Sequence, residues 1–320
     1  MNFIQKSVSK IDNFQRLHSV FGFPYAVIKK YGEDNGGYQA AIITYYGLLS
    51  LFPLLIVFTA LTQLILKGDP ALQHRVSESV SQYFPIVGSQ LQSGVHSTGK
   101  TGLALVVSLL VTLYGARGGA SALQYAITSL WHVPRVERPP FLKNMVRSFG
   151  IIFGGGLGLI AAVVISGYTN ILGKGIEVRL LATLISLALL WVTFIWLFKL
   201  AIAGNKSVKS VAVGAAIAAV GVQILQVLGT VILGHQLKGL TSTYGAFALV
   251  IGVLFWIYLQ AQVIMYAVEV DVVRAYKLFP RAIQEPLTAA DKRAVASSAQ
   301  AHTRYKYQSV DVSFKDQAKP

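Results

Sequence analysis

The hydrophobic residues of this chain are gathered into long runs that short polar segments separate. The clearest run covers residues 244–268 and holds twenty-five residues without a formal charge. A helix rises about 1.5 Å per residue, so about twenty such residues cross a hydrocarbon core about 30 Å thick. The pattern therefore predicts a membrane-spanning helix here and in five earlier runs. The six predicted spans are residues 39–66, 101–116 with an extension to 131, 149–172, 180–198, 210–234 and 244–268.

Outside the spans, the pattern predicts two polar ends and helices that lie along the membrane surface. Apolar residues recur every three to four positions in residues 69–95 and around residues 11–27, as they do in amphipathic surface helices. Residues 1–38 form an N-terminal segment, and residues 281–320 are so poor in large aliphatic residues that they predict a mostly disordered tail. The expected fold is an all-α polytopic membrane protein, a six-helix bundle over residues 39–280 with additional amphipathic surface helices.

The composition agrees with this class and excludes an ordinary soluble domain. Hydrophobic residues make up 54% of the chain, charged residues make up 13%, and the mean hydropathy is +0.56. The chain has no cysteine, and its six histidines never stand at a metal-ligand spacing such as i, i+4. We therefore expect no metal site and no cofactor.

The distribution of charge predicts how the chain is oriented. Its formal net charge is +15, and the basic residues cluster at the ends of the apolar runs. When the connections are assigned alternately to two sides, 21 Lys and Arg residues fall on the side of the termini and six on the other. The positive-inside rule then places both termini in the cytoplasm. Basic residues in these positions suit anionic membrane lipid, so lipid rather than nucleic acid is the expected partner.

A few polar side chains fall within the predicted spans, and these are the candidate functional residues. The arginine at the end of the short second span must reach the interface as an anchor or face an anionic group in a polar cavity. In the last span, four polar residues recur at steps of four, four and three and share one helical face, which serves either helix packing or a substrate path. The candidates are Arg117, Tyr258, Gln262, Tyr266, Glu269 and the pair Gln223 and Gln226.

Proline and glycine mark the candidate hinges. Pro53 stands in the middle of the first span, where the missing backbone donor predicts a kink that serves either packing or gating. Gly115, Gly118 and Gly119 surround the arginine of the second span and predict a break or bend there.

Two motifs suggest chemistry, but their context argues against it. Residues 94–101 match the P-loop pattern letter for letter, yet a surface helix precedes them and a membrane span follows, where a phosphate cradle needs a buried strand. Glu269 and Asp271 are close in sequence, but residues two apart on a helix point about 200° apart and cannot share a reacting atom. We expect no catalytic residue, and we expect Glu269 to pair with Arg117 or with an interfacial lysine.

Three blocks of the chain resemble the YihY/BrkB family of bacterial inner-membrane proteins. They are Ala40–Leu54, then Gly115–Leu123 with Pro134–Phe141, and Tyr244–Glu269. The third block departs from the family, which often reads Gly-Ala-Glu-x-Asn where this chain has Glu269-Val270-Asp271. The resemblance implies a six-helix inner-membrane protein tied to envelope integrity, for which transport of lipids or ions has been proposed. It also implies that the ribonuclease label of some members is a misassignment.

These observations leave three classes of function to compare. The first is a non-enzymatic inner-membrane protein that moves, or helps to move, an envelope lipid or another anionic, amphipathic solute. The second is a membrane scaffold that positions envelope machinery, and the third is an enzyme, which the lack of a catalytic constellation disfavours. A homo-oligomer is compatible with all three, and the substrate is unknown from the sequence.

Overall fold

The computed structural model describes residues 3–65, 102–172, 176–204, 206–244 and 246–315. Within these residues the regular structure is entirely helical, with nine α-helices and a short 3-10 helix at Arg135–Glu137. The all-α prediction is confirmed for this part of the chain. The α-helices are α1 (Phe3–Leu17), α2 (Ser19–Glu33), α3 (Gly36–Ile65), α4 (Gly102–Leu130), α5 (Phe141–Leu172), α6 (Ile176–Ala201), α7 (Val208–Tyr244), α8 (Ala246–Ala275) and α9 (Ala289–Gln300).

Six long helices, α3 to α8, form a closed ring. Each packs against the next helix in the chain, and α8 returns to pack against α3. Helices that are neighbours in the chain are antiparallel, as the contacts of Gly150 with Leu200 and of Gly158 with Thr193 show for α5 and α6. Helices α3, α5 and α7 therefore begin at the end of the ring where α4, α6 and α8 finish. We call this end the terminal face, because α1, α2 and the C-terminal segment also pack there. Contacts such as that of the Lys30 amine with the Leu130 carbonyl oxygen, at 3.1 Å, join the elements at this face.

Glycines let neighbouring helices of the ring approach closely. Those of α5 recur every four residues, and a Cβ on Gly154 or Gly158 would meet Trp196 or Thr193 of α6. Small residues at this spacing are typical of helix pairs in membranes, where close backbone approach replaces the hydrophobic driving force available in water. The glycines of α5 thus bring its backbone close to α6.

The glycine cluster of α4 does not break the helix. Helix α4 is continuous from Gly102 to Leu130, so the structure shows no break at Gly115, Gly118 and Gly119, and the helix does extend almost to residue 131. The reason lies in helix packing, because a Cβ on Gly115 would meet Ser50 of α3. The glycines thus accommodate α3. A bend at these glycines stays a prediction. Helix α3 likewise runs through Pro53 without interruption, and a hinge at any of these positions stays a prediction.

Three helices of the described residues contain stretches long and apolar enough to cross a membrane. They are Leu180–Ala201 in α6, Val208–Gln226 in α7 and Val250–Ala275 in α8. Large apolar residues lie on the outside of the ring, as on α6, where Leu180, Leu181 and Leu184 are exposed. This outward apolar surface is what a helical bundle immersed in lipid requires. The count of six crossings stays a prediction.

The C-terminal segment differs from the expectation of disorder. It contains α9, which begins with a capping box in which Thr288 and Asp291 satisfy each other's backbone amides, and Ala290 and Ala294 are buried. Its charged side chains pair with α2 and its backbone is hydrogen-bonded to α1, and both helices are distant in sequence. The local composition could not reveal this support. The surface helix predicted in residues 69–95 and the P-loop match both lie outside the described residues.

Candidate functional site

The polar face of α8 packs against α2 and the beginning of α3. The ring of Tyr266 stacks on that of Tyr31, with their centroids 3.9 Å apart, and Gln262 Nε2 lies 3.5 Å from the Tyr31 hydroxyl. The hydroxyl of Tyr258 lies beside Gly37, the second residue of α3. The predicted face therefore exists as one surface, and α2 covers it.

A buried charge cluster continues this surface towards the terminal face. Lys30 is 1% exposed, and its amine lies 3.2 Å from Glu269, whose side chain is completely buried. The same amine contacts Asp34. Burial lowers the pKa of Lys30, but the carboxylates of Glu269 and Asp34 outweigh this effect and raise it above its usual value. Of the two partners expected for Glu269, the structure selects a lysine and not Arg117.

His132 connects this cluster to the C-terminal helix. Its Nε2 lies 2.9 Å from Asp34 Oδ1, and its Nδ1 lies 2.8 Å from the Ser297 hydroxyl of α9. Burial raises the pKa of Asp34, but the hydrogen bond with His132 and the charge of Lys30 bring it below its usual value. One chain of polar contacts thus runs from α8 through α2 and the end of α4 to α9.

A second cluster fixes the C-terminal segment to α2. Arg281 is 1% exposed; its guanidinium contacts Glu33 at 2.7 Å and Asp291 at 2.6 Å, and Lys29 lies 3.0 Å from the same aspartate. Burial raises the pKa of Asp291, but hydrogen bonds from Thr288 and Arg281 hold it well below its usual range. We call Lys29, Glu33, Arg281 and Asp291 the terminal clasp.

Helix α1 is bound to the same segment through its polar side. Gln15 Nε2 donates to the Arg281 carbonyl oxygen at 2.6 Å, and the backbone amide of Ile283 donates to Asp12 at 3.0 Å. Arg16 pairs with Asp12 one helical turn away. These residues are not among the candidates predicted from the sequence, although the i, i+4 pair of Asp12 and Arg16 is visible there as a signal of a stable helix.

Arg117 occupies a separate site on the outer side of α3 and α4. It lies in a groove of about 330 Å³, and its guanidinium is 5.3 Å from the centre of the Phe141 ring. Its Nε is buried and has no hydrogen-bond partner among the described residues. The groove, which we call the Arg117 groove, is lined by Ile42, Tyr46, Tyr114, Arg117, Gly118, Ser121, Ala122 and Tyr125.

The lining of the Arg117 groove suits an anion with an apolar portion. Tyr114 and Tyr125 are exposed beside it, and the guanidinium of Arg138 stands 5.5 Å from the Tyr125 ring. Guanidinium groups bind phosphate and carboxylate through paired hydrogen bonds, and hydroxyls such as that of Ser121 add further donors. Chemically, the groove can bind such a group without any covalent step.

The structure does not gather all the predicted residues into one place. Arg117 contacts Phe141, whereas the polar face of α8 contacts α2. Gln223 and Gln226 lie on α7, and the buried Gln223 Oε1 has no partner among the described residues. Within the same residues, no group of three or more His, Asp or Glu side chains could hold a metal ion. The candidate site therefore consists of the Arg117 groove and, apart from it, the covered polar face.

Comparisons with known proteins indicate what this architecture is similar to. Residues 27–292 match the family model described as "Virulence factor BrkB". The chain is also 27% identical over 274 residues to a UPF0761 membrane protein of Psychrobacter sp. (strain PRwf-1). That match covers 79% of this chain and 48% of the Psychrobacter protein, so this chain spans about half of its relative's length. No solved structure matches.

Proposed function

Because the chain belongs to the BrkB virulence factor family of membrane proteins, we propose that it moves, or helps to move, an anionic amphipathic molecule of the cell envelope. An envelope lipid is the first candidate for this molecule. The observation that carries the proposal is the Arg117 guanidinium, which lies in a lateral groove with one buried N–H unpartnered among the described residues.

A cation at this place needs an anionic partner. A charged side chain within a membrane-embedded helix costs several kcal/mol unless it is paired or reaches water, so such residues commonly mark binding sites or pathways. Phe141 offers the guanidinium a cation–π contact, which is worth about 0.5–2 kcal/mol and leaves the buried Nε–H without a partner among the described residues. A phosphate or carboxylate in the groove would complete the pairing, and its apolar portion would rest on the exposed tyrosines.

The proposal includes a topology. Six crossings of the bacterial inner membrane, with both termini in the cytoplasm, agree with the alternating helices of the ring and with the basic residues at the terminal face. The termini share one end, because α1 is hydrogen-bonded to residues 281–286. The proposed action is non-enzymatic, since binding and lateral release of an amphipathic molecule require no catalytic group.

A flux assay tests this function directly. The full chain is reconstituted into vesicles of phosphatidylcholine and phosphatidylglycerol that carry a trace of headgroup-labelled phosphatidylglycerol, and a membrane-impermeant quencher follows transfer between leaflets. We expect faster transfer than in protein-free vesicles. Arg117→Gln should abolish the acceleration, and Arg117→Lys should keep part of it, because an ammonium holds a phosphate without paired geometry.

The matched control removes a charge elsewhere. Arg304 lies exposed in the C-terminal segment, so Arg304→Gln should transfer lipid as the native chain does. Two results would contradict the proposal. One is a native protein no faster than empty vesicles, and the other is an Arg117→Gln variant that retains the native rate while correctly inserted.

A non-transporting scaffold is the second candidate, and the ordered terminal face favours it. The terminal clasp holds the C-terminal segment in place, and beyond α9 this segment exposes Tyr305 and Tyr307, which would form the contact surface for a partner protein. A scaffold would tolerate Arg117→Gln and Gln262→Leu but would lose its function when the tail or residues 69–95 change. Complementation of a deletion strain with these variants separates the two candidates.

A further inference from the structure

The corner between α1 and α2 carries an apolar surface that no other described part of the chain covers. Leu17 is 81% exposed and Val20 is 76% exposed, and the rings of Phe14 and Phe21 lie 5.5 Å apart across the corner. Large side chains of this kind form one continuous ridge along both helices. The ridge consists of Ile11, Phe14, Leu17, Val20, Phe21 and Ile28, and we call it the corner ridge.

The opposite sides of both helices are already occupied. Helix α1 uses Asp12 and Gln15 to bind the C-terminal segment, and α2 buries Ala26 and Lys30 against the ring. The two helices therefore have a fixed orientation, and the corner ridge faces away from the protein. An exposed apolar patch this well defined marks an interaction surface.

The position of the corner ridge favours a bilayer as its partner. Helix α2 leads within two residues into α3, whose outward residues Tyr38, Ile42 and Tyr45 are exposed at steps of four and three. The corner ridge is thus continuous along the chain with the outer surface of the ring. A surface that binds a soluble protein would instead be expected to lie apart from the outer surface of the ring.

The charges beside the corner ridge favour an anionic leaflet. Three of the five Lys and Arg residues in the first thirty-two positions already have acidic partners: Arg16 pairs with Asp12, Lys29 with Asp291, and the buried Lys30 with Glu269. Lys10 is exposed on α1. Lys10 has no acidic partner among the described residues, and an exposed lysine beside apolar side chains is typical of helices that lie in the interface of membranes containing anionic lipid.

We propose that the corner ridge docks onto the membrane leaflet at the terminal face and inserts its side chains below anionic headgroups. The C-terminal segment, which binds Asp12 and Gln15, fixes the orientation of α1 for this contact. This surface acts independently of the Arg117 groove. It makes the N-terminal helices a lipid-binding element and not a free extension.

Site-directed spin labelling tests the proposal in the full chain. The absence of native cysteine allows single Cys substitutions at Leu17, Phe21 and Ile28, with Asn13 and Gln300 as exposed polar controls. In vesicles containing phosphatidylglycerol, the collision rate of a water-soluble nickel chelate with the three ridge labels should be on the order of tenfold lower than with the control labels. Oxygen, which dissolves in the bilayer, should collide readily with the ridge labels. This contrast follows because an interfacial helix buries its apolar face about 5–10 Å into the headgroup boundary.

The other outcomes overturn the proposal in distinct ways. Labels that the nickel chelate reaches as freely as it reaches Gln300 would place the corner ridge in water. Labels shielded from both reagents would mean that a second copy or another protein covers the surface. Equal shielding in vesicles of phosphatidylcholine without anionic lipid would refute the part of the proposal that rests on charge.

Discussion

Replacement of Arg281 by methionine should release the C-terminal segment from the terminal face. The arginine is buried and joins Glu33 of α2 to Asp291 of α9, and methionine keeps much of its volume without its charge. Removing one partner of a buried ion pair costs about 3–5 kcal/mol, because the remaining charge loses its compensation. The substitution therefore weakens the docking of α9 and leaves the ring of six long helices in place.

The neighbours of Arg281 determine where in this range the cost falls. Asp291 would keep Lys29 at 3.0 Å and the backbone amide of Ala282 at 2.9 Å, so its charge is only partly uncompensated. The Glu33 side chain is 41% exposed and returns to water at little cost. We therefore expect the substitution to cost about 3 kcal/mol, the lower end of this range. Since about 1.4 kcal/mol is a factor of ten, local opening of α9 should become about a hundredfold more frequent.

Hydrogen exchange of the full chain in lipid nanodiscs measures this opening. Peptides from residues 289–300 should exchange about a hundredfold faster in Arg281→Met, whereas peptides from α6 should keep their native protection. The matched control is Arg293→Gln, which removes an exposed bond to the Lys277 carbonyl oxygen and should change opening by at most about 1 kcal/mol. If both variants exchanged at the same rate, the terminal clasp would have no special role.

Three further substitutions or conditions test other parts of the structure. Because the pKa of Asp291 is lowered in the folded state, its contribution to stability is present above the unfolded value of about 3.9 and is lost as pH falls through the folded value. The protection of the α9 amides, corrected for the intrinsic exchange rate at each pH, should therefore decrease below about pH 4, and Asp291→Asn should remove that part of the acid dependence. Lys30→Met should lower the free energy of unfolding by about 3–5 kcal/mol, because it leaves Glu269 buried without a cation, and adding Glu269→Gln should restore most of the lost stability. If thermal unfolding in detergent showed that the effects of the two substitutions simply add, this would contradict the pairing. Gly118→Leu should cost about 1–3 kcal/mol through a clash with α3. Gly156→Ala, where a Cβ meets nothing within 4 Å, should keep the native stability or raise it by up to about 1 kcal/mol, because alanine is the better helix former. Equal melting temperatures for the two variants would refute the packing of α3 on α4.

The apolar runs of the sequence were sufficient to predict the long helices. Hydrophobicity is a local property, so a run such as residues 180–198 predicts a helix whatever packs beside it. In the structure this helix covers Ile176–Ala201. Four-residue glycine spacing is equally local, and α5 packs closely against α6 where its glycines recur at this spacing. No break occurs in α4, because glycine in a helix also permits a close neighbour, and only the position of α3 shows this.

The charged clusters could not be predicted in the same way. Arg281 and Glu33 are 248 residues apart in the chain, and each looks like an ordinary surface charge in its own segment. Lys30 gave a weak local signal through Asp34 at i+4, but its pairing with Glu269 depends on how α2 crosses α8. The isolation of Arg117 from the polar face of α8 also depends on the order of the helices in the ring, which helical periodicity does not contain.

Photo-cross-linking of lipid at the Arg117 groove tests the proposed binding of an anionic amphipathic molecule most directly. A photoreactive residue is introduced at Tyr114, which lines the groove, and the protein is irradiated in membranes that contain phosphatidylglycerol and phosphatidylethanolamine. We predict that phosphatidylglycerol makes up a larger share of the cross-linked lipid than of the membrane, and that Arg117→Gln removes this enrichment. Cross-linking in bulk proportion, unchanged by Arg117→Gln, would contradict the binding of an anionic headgroup at this site.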